Sequence, residues 1–338
     1  MAHYTSTHRD CFLNKTKEEE ENIERTFQGY KQLVSNLPNE EGSEFFDQIC
    51  LYQGFWIADV HCQGVIAVQN HFKARSTDII GATNPKSGTT WIKALLFAIV
   101  NRSKYPINNH PLLSENPHGL VPCIEIDLYN GRIPDLEILP SPRIFQTHIS
   151  YTSLPQSMID SGSRIVYISR NPKDAFVSLW HFKNKLRAVL SKPPLTFTED
   201  FEKFCKGVSL SGPFWDHALG YWKASLERPQ HVLFIKYEEL HEDPVLHLKR
   251  IAQFVGYPFS SEEEKEGMVD EILKLCSFET LSNLKVNKIG KIVGTPFPNE
   301  AFFRKGMVGD CTNYLTSEMI ERLDQITEEK CHGYGLIM

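Results

Sequence analysis

Lys86 stands in the run Asn84-Pro85-Lys86-Ser87-Gly88-Thr89-Thr90-Trp91, directly after the apolar residues Ile79, Ile80 and Ala82. Asn84-Pro85 cannot continue a buried strand. Ser87 to Thr90 supplies the small and hydroxylated residues of a helix start. Beyond Thr90, Ile92, Leu95, Leu96, Ile99 and Val100 recur at helical spacing. A strand, tight loop and helix joined this way aim several backbone N–H groups at one point. The helix dipole adds positive potential there, and the result is an anion site in outline. Lys86 adds a full charge, and Gly88 admits a ligand close to the backbone. The lysine precedes the glycine, the reverse of the common nucleoside-triphosphate loop. The plain alternative is an ordinary strand–helix turn.

Three further groups carry charge or proton chemistry. Arg170 follows the apolar run Arg164–Ser169 and so stands at the carboxyl end of a strand, where open α/β sheets bind ligands. A guanidinium there grips a phosphate through two parallel hydrogen bonds. Ser178, about two helical turns on, reaches toward the same group; a salt bridge from Arg170 to Asp174 is the competing reading. Phe302-Phe303-Arg304-Lys305-Gly306 places adjacent cations between ring faces and a glycine, a combination suited to an adenosine phosphate. His148 ends the short strand Arg143–Thr147 and titrates near neutrality, as a general base must. A structural histidine is the alternative.

The elements that position these groups form an α/β pattern. Near-continuous apolar strands at Ile79–Ala82, Ile165–Ser169 and Val232–Lys236 alternate with helices. This predicts a single domain over 17–338 with a central, mostly parallel sheet flanked by helices. Residues 1–16 are expected to form a disordered tail. An amphipathic helix follows on Ile23, Phe27, Tyr30 and Val34, with acids in its first turn. Leu51 to Trp56 is aromatic without a clean period. Residues 103–142 read as loop with short helices, and His110 and His118 within them as solvated histidines rather than metal ligands. Residues 286–306 are expected to form a mobile flap.

With 338 residues and 41% hydrophobic content, the chain can bury a large core. A net charge of −6 argues against a general nucleic-acid binder. Its eight cysteines include no C-x-x-C pair, which suggests reduced thiols and no zinc site. No apolar signal core opens the sequence, and Ala94–Val100 is too short to cross a bilayer. A cytoplasmic protein is expected, with no membrane partner and no resident metal.

The run Asn84–Trp91 resembles the 5′-phosphosulfate loop of the cytosolic sulfotransferases, especially their plant branch. Ser-Arg-Asn-Pro around Arg170, and Arg304-Lys305-Gly306 followed by Gly309-Asp310, are similar to that family's other motifs. The resemblance implies a P-loop-like fold and transfer of a sulfuryl group from 3′-phosphoadenosine 5′-phosphosulfate to a hydroxyl. Sulfate conjugation in plant secondary metabolism would be the setting. The acceptor would be small and largely apolar, such as a flavonoid, steroid or oxylipin, and 3′,5′-bisphosphoadenosine the second product. By this resemblance Lys86, Ser87, Gly88, Thr89, Thr90 and Trp91 hold the phosphosulfate. Arg170, Ser178, Tyr237, Ser277, Phe303, Arg304, Lys305 and Gly306 hold the adenosine and its 3′-phosphate. His148 is the base, Lys86 stabilises the leaving oxygen, and Ser178 restrains Lys86 until acceptor binds. Phe55, Trp56 and Phe182 are acceptor-side candidates. The chain departs from the pattern at Gln146, where many animal members carry lysine, and at Cys311, where the family often has tryptophan. A nucleotide-dependent phosphotransferase and a non-catalytic 3′-phosphonucleotide-binding protein are the alternatives.

Overall fold

The computed structural model describes residues 10–13, 15–41, 48–292 and 295–338. Within them Asn39–Glu41 (β1), Gln48–Tyr52 (β2) and Phe55–Ala58 (β3) form a small antiparallel sheet. Ile79–Thr83 (β4), Ile144–Thr147 (β5), Arg164–Ser169 (β6) and Val232–Lys236 (β7) form the central sheet. Its order is β5-β4-β6-β7 and every pair is parallel, as the alternating pattern predicts. The long helices that concern the site are Lys17–Val34 (α1), Asp59–His71 (α2), Thr89–Asn101 (α3), Pro172–Val189 (α4), Phe214–Glu227 (α5), Pro244–Phe254 (α6) and Ser317–Cys331 (α7).

The period of two along each strand sorts the core into two halves. Ile80, Ala82, Phe145, Ile165, Tyr167 and Phe234 face one way and pack with residues of α2, α4, α5 and α7. Ile79, Ile144, Val166, Ile168, Leu233 and Ile235 face the other and meet α3 and α6. A sheet covered on both sides needs apolar residues at nearly every position, which is why its strands read as continuous runs. The segment Leu51–Trp56, without a clean period in the sequence, is the β2–β3 hairpin, turned at Gln53-Gly54 with both φ angles positive. Trp56 is then zipped to the chain near α5, donating from its N–H to the Gly212 carbonyl and accepting from Ser211.

Most of the expected tail, residues 1–9 and 14, lies outside the described residues. Cys11, assigned to that tail, is buried against the main core, and its carbonyl accepts from the Asp135 N–H. Thr16 caps α1 in a reciprocal box with Glu19. Val286–Ile289, within the expected flap, belongs to a short helix, Lys285–Ile289. Among the described residues no helix is long and apolar enough to cross a membrane.

An ion pair locks the entry to β4 and β5. The Arg143 guanidinium donates to both oxygens of Asp78, from Nε at 2.8 Å and Nη2 at 2.5 Å, and both side chains are essentially inaccessible. Arg143 also donates to the Lys73 and Leu136 carbonyls, and Asp78 accepts the Arg75 N–H. Removing one partner leaves the other charge buried, so Asp78→Ala should lose about 3–5 kcal/mol of stability. Asp78→Leu combined with Arg143→Met should lose less. Urea unfolding curves check both; a double variant as damaged as the single one would contradict this account.

Candidate active site

At the carboxyl edge of the central sheet, β4 hands the chain to the loop Asn84–Gly88 and then to α3. Lys86 sits in the left-handed region at φ 67°, a strained conformation for a residue with a Cβ. Gly88, at φ 110°, is the α3 N-cap, and a Cβ there would come within 3.1 Å of the Tyr237 ring. The loop thus presents backbone N–H groups and the Lys86 side chain to a cavity of about 360 Å³. The lining includes Gly88, Thr89, Thr90, Trp91, Arg170, Ser178, Tyr237, Ser277, Phe303, Arg304, Lys305 and Gly306. The structure therefore brings together every candidate nucleotide-side residue except Ser87, which is fully buried beneath the loop.

Arg170, Arg304 and Lys305, three of the cations in this cavity, are paired with carboxylates. Arg170 donates to the Met307 carbonyl at 2.7 Å, lies over the Tyr237 ring, and stands 3.6 Å from Asp174. The Arg170–Asp174 pair weighed from the sequence is therefore present. Asp174 in turn accepts the N–H groups of Gly309 and Cys311 and so fixes the turn after Lys305. Arg304 and Lys305 both donate to Asp310. Burial pushes the Asp310 carboxyl up, but hydrogen bonds from Lys305, Arg304 and Asn313 outweigh it and hold the pKa at about 2. The Nε atoms of Arg170 and Arg304 and the Ser87 hydroxyl are buried with no partner among the described residues. Unspent donors around a cationic cradle fit an anion with several oxygens.

Ser277 caps the following helix by accepting the Thr280 N–H, so it serves a local role as well as lining the cavity. Cys311, in the place of the family's frequent tryptophan, is buried and bonded through its N–H to Asp174. Among the described residues the Lys86 ammonium hydrogen-bonds to no group, Ser178 included. It lies 4.3 Å from the Phe182 ring centroid and 5.9 Å from that of Phe302.

A second cavity of about 680 Å³ adjoins the first. Its lining is largely apolar, including Phe55, Ile57, Ile126, Ile149, Leu186, Leu190 and Phe297. Of the acceptor-side candidates, Phe55 and Phe182 line it and Trp56 lines neither cavity. Alternation along β3 explains the difference: Phe55 and Ile57 share one face and Trp56 takes the other. Pro85, His118, His148, Phe182 and Phe302 line both cavities and mark where they meet.

His148 is oriented by its neighbours. Its Nδ1 lies 2.7 Å from the Thr83 carbonyl, an acceptor only, so Nδ1 carries the proton and Nε2 keeps its lone pair. Its backbone N–H donates to Glu125 Oε1 at 2.7 Å, and the Thr147 hydroxyl donates to Glu125 Oε2. Burial lowers the His148 pKa, opposed by Glu125 and Thr83 and assisted by Lys93 and Lys86, so the ring is neutral near physiological pH. Glu125 carried no local sequence signal. It is placed by α2, whose Gly64 packs so closely that a Cβ would stand 2.0 Å from the Glu125 carbonyl oxygen. Gln146, the other departure from the family pattern, is fully buried and donates to Thr83 Oγ1 and the Thr147 carbonyl. His110 is not solvated, being only 2% exposed, and His118 is partly buried, set between Thr90, Lys93 and the Phe302 ring. Among the described residues no cluster of three or more histidines, cysteines or carboxylates could hold a metal ion.

A family model described as "Sulfotransferase domain" matches residues 76–335. Cytosolic sulfotransferase 5 of Arabidopsis thaliana is 50% identical over 311 residues, covering 90% of this chain and 95% of that one. The crystal structure of a putative steroid sulphotransferase from the same plant superposes with a TM-score of 0.72 at 40% identity, covering 97% and 99% of the two chains. A mouse sulfotransferase complexed with PAP gives a TM-score of 0.66 at 27% identity, covering 84% and 94%.

The cationic cradle has a titratable consequence. Burial, reinforced by repulsion from Arg170, Arg304 and Lys185, pushes the Lys86 pKa down to about 7. At pH 8 its amine should therefore be mostly uncharged. Reductive 13C-methylation followed by an NMR titration should show a dimethyl-lysine signal moving near pH 7 that is missing from Lys86→Arg. A Lys86 signal titrating at the ordinary lysine value would contradict the proposed crowding.

Proposed function

The chain belongs to the sulfotransferase family, and from that membership we propose how its residues divide the reaction. It is an enzyme that transfers a sulfuryl group from 3′-phosphoadenosine 5′-phosphosulfate and releases 3′,5′-bisphosphoadenosine. The proposed acceptor is a small, hydroxylated and largely apolar molecule taken into the larger cavity. The observation that carries this division is the meeting of the two cavities at His148, with the Lys86 loop on one side and the apolar chamber on the other.

In this reading the 5′-phosphosulfate lies along the loop from Lys86 to Trp91. Arg170, Ser178, Arg304 and Lys305 take the 3′-phosphate, which displaces Asp310 as the partner of the last two. Ring faces of Trp91, Tyr237 and Phe303 border the adenosine. The acceptor hydroxyl donates its proton to Nε2 of His148 as its oxygen forms a bond to sulfur. The bond from sulfur to the phosphate oxygen breaks, and the electron pair stays on that oxygen. Lys86 stabilises the charge gathering there, an electrostatic role suited to a site sheltered from water. Residues 286–306 would act as the flap that closes over the nucleotide. The cytoplasm is the proposed location, in keeping with the name of the Arabidopsis relative.

Turnover of labelled 3′-phosphoadenosine 5′-phosphosulfate against a panel of hydroxylated small molecules tests the assignment. Binding of the bisphosphate without transfer to any acceptor would favour a binding protein, and tight Mg-ATP binding a phosphotransferase. With a productive acceptor, His148→Asn should cut turnover by at least about a hundredfold and spare bisphosphate affinity, since general base catalysis is worth 10²–10⁴-fold. Near-normal turnover would assign the base elsewhere. Binding the bisphosphate should also return Lys86 to its charged form. Above about pH 7 binding then takes up a proton, and affinity falls as pH rises. Calorimetry in buffers of different ionisation enthalpy measures that uptake. The flap assignment predicts slower hydrogen exchange across 286–306 on adding the bisphosphate, and unchanged exchange there would remove it.

A further inference from the structure

Lys93 lies one helical turn beyond the loop in α3, and only 1% of it is accessible. Its ammonium approaches His118 Nδ1 at 3.2 Å, while His118 Nε2 lies 3.0 Å from the Thr90 hydroxyl. An ammonium donates and does not accept, so Nδ1 must offer its lone pair. The His118 ring is neutral, because burial and the nearby cations Lys93 and Lys86, with His148, oppose its protonation. Its one proton is therefore on Nε2 and is given to Thr90. The Thr90 oxygen is then occupied as an acceptor, and its own proton is left to donate. No other hydrogen bond to Thr90 Oγ1 is formed among the described residues, and Thr90 lines the cavity entered by the Lys86 loop. Reversing the chain would set a ring N–H against the ammonium. Burial pushes the Lys93 pKa below the usual lysine value, a shift opposed but not cancelled by attraction to Asp127, Cys123 and Glu125, and the relay holds where Lys93 is charged.

We propose that Lys93 and His118 are positioning residues for the transfer, a one-way hydrogen-bond relay that aims the Thr90 hydroxyl proton at the transferring group. Neither needs to touch the nucleotide. The inference rests on the sulfotransferase reading for what the proton is aimed at, but the direction of the relay is a property of the protein alone. Lys93 also lines the larger cavity, and His118 lines both, so the relay spans the boundary between the two chambers.

The direction is read without acceptor or nucleotide. In 15N-histidine-labelled protein, a two-bond 15N–1H correlation spectrum, with His118 assigned by loss in His118→Gln, should show the Nε2–H tautomer. In Lys93→Met, which keeps length and removes the donor, that signal should move toward a tautomer mixture. A His118 signal of the Nδ1–H form in the wild type overturns the relay. If the tautomer is as expected but no acceptor is sulfated, only the functional reading fails. With a working acceptor, Lys93→Met and His118→Leu should each lower kcat by about tenfold or more, with KM for the nucleotide changed far less, as expected when a hydrogen bond to developing charge is misdirected. His118→Gln accepts with its carbonyl and donates with its amide, so it should recover most of the loss. Folded His118→Gln as slow as His118→Leu, or folded Lys93→Met with normal kcat, would overturn the proposal.

Discussion

Crowding of like charge at one edge of the central sheet is the constraint on which the site depends. Lys86, Arg170, Arg304 and Lys305 line one small cavity, and the amino end of α3 points into the same space. Such a cluster opposes folding unless anions are placed to hold it. Asp174 and Asp310 do this in different ways. Asp174 faces Arg170 and fastens Gly309 and Cys311, so it builds the wall. Asp310 takes Arg304 and Lys305 directly and keeps the pair gathered. The remaining imbalance falls on Lys86, whose charge is destabilised, whose backbone is strained, and whose ammonium rests against aromatic rings. In the proposed reading an arriving anion would relieve the repulsion and so couple binding to protonation.

The surroundings of His148, the proposed base, are built by close packing rather than by charge. α2 approaches the segment Ile124–Leu128 closely enough that only glycine fits at position 64, and this sets Glu125 beneath His148. Glu125 spends its oxygens on the His148 N–H and the Thr147 hydroxyl, so it holds the His148 backbone. The ring is aimed separately, by Nδ1 donating to the Thr83 carbonyl. Below it, Tyr167 donates to His217 Nδ1, and His217 Nε2–H donates to the His148 carbonyl. Strand ends thus supply rigid anchors for the His148 side chain.

The parts legible in the sequence were those with a local cause. Apolar runs announce β4, β6 and β7 because both faces of the sheet are covered. The loop at Lys86 and the cations at Arg304 and Lys305 are contiguous, so their chemistry is visible in a few residues. Glu125, His118 and Lys93 were not legible. A carboxylate, a histidine in a proline-rich stretch and a lysine on a helix look solvated one at a time, and only tertiary contact buries Glu125 and Lys93 and sets His118 against Lys93. Phe55 and Trp56 show the same limit at finer grain, since knowing which of two adjacent aromatics faces the chamber requires the register of β3. The β2–β3 hairpin itself was obscured because its faces are both partly covered and its alternation is blurred.

Gln146 shows why a departure from a family pattern has to be weighed against its surroundings. By resemblance the position is one where a lysine adds a cation beside the transferring group. In this chain the side chain is fully buried and lines neither cavity. Its amide donates to the Thr83 hydroxyl, and its oxygen occupies the space that a Cβ on Gly81 would claim, at 2.6 Å. Thr83 is also bonded to Thr89 at the start of α3, and its carbonyl aims the His148 ring. Gln146 therefore braces the residue that links the Lys86 loop to His148. A lysine in the same pose would bring its charge under the sheet, with no carboxylate bonded there to receive it. A buried lysine that does border the larger cavity, the proposed acceptor chamber, is Lys93, on a helix rather than a strand. Support for Thr83 and a lysine beside the larger cavity thus come from different residues, Gln146 and Lys93.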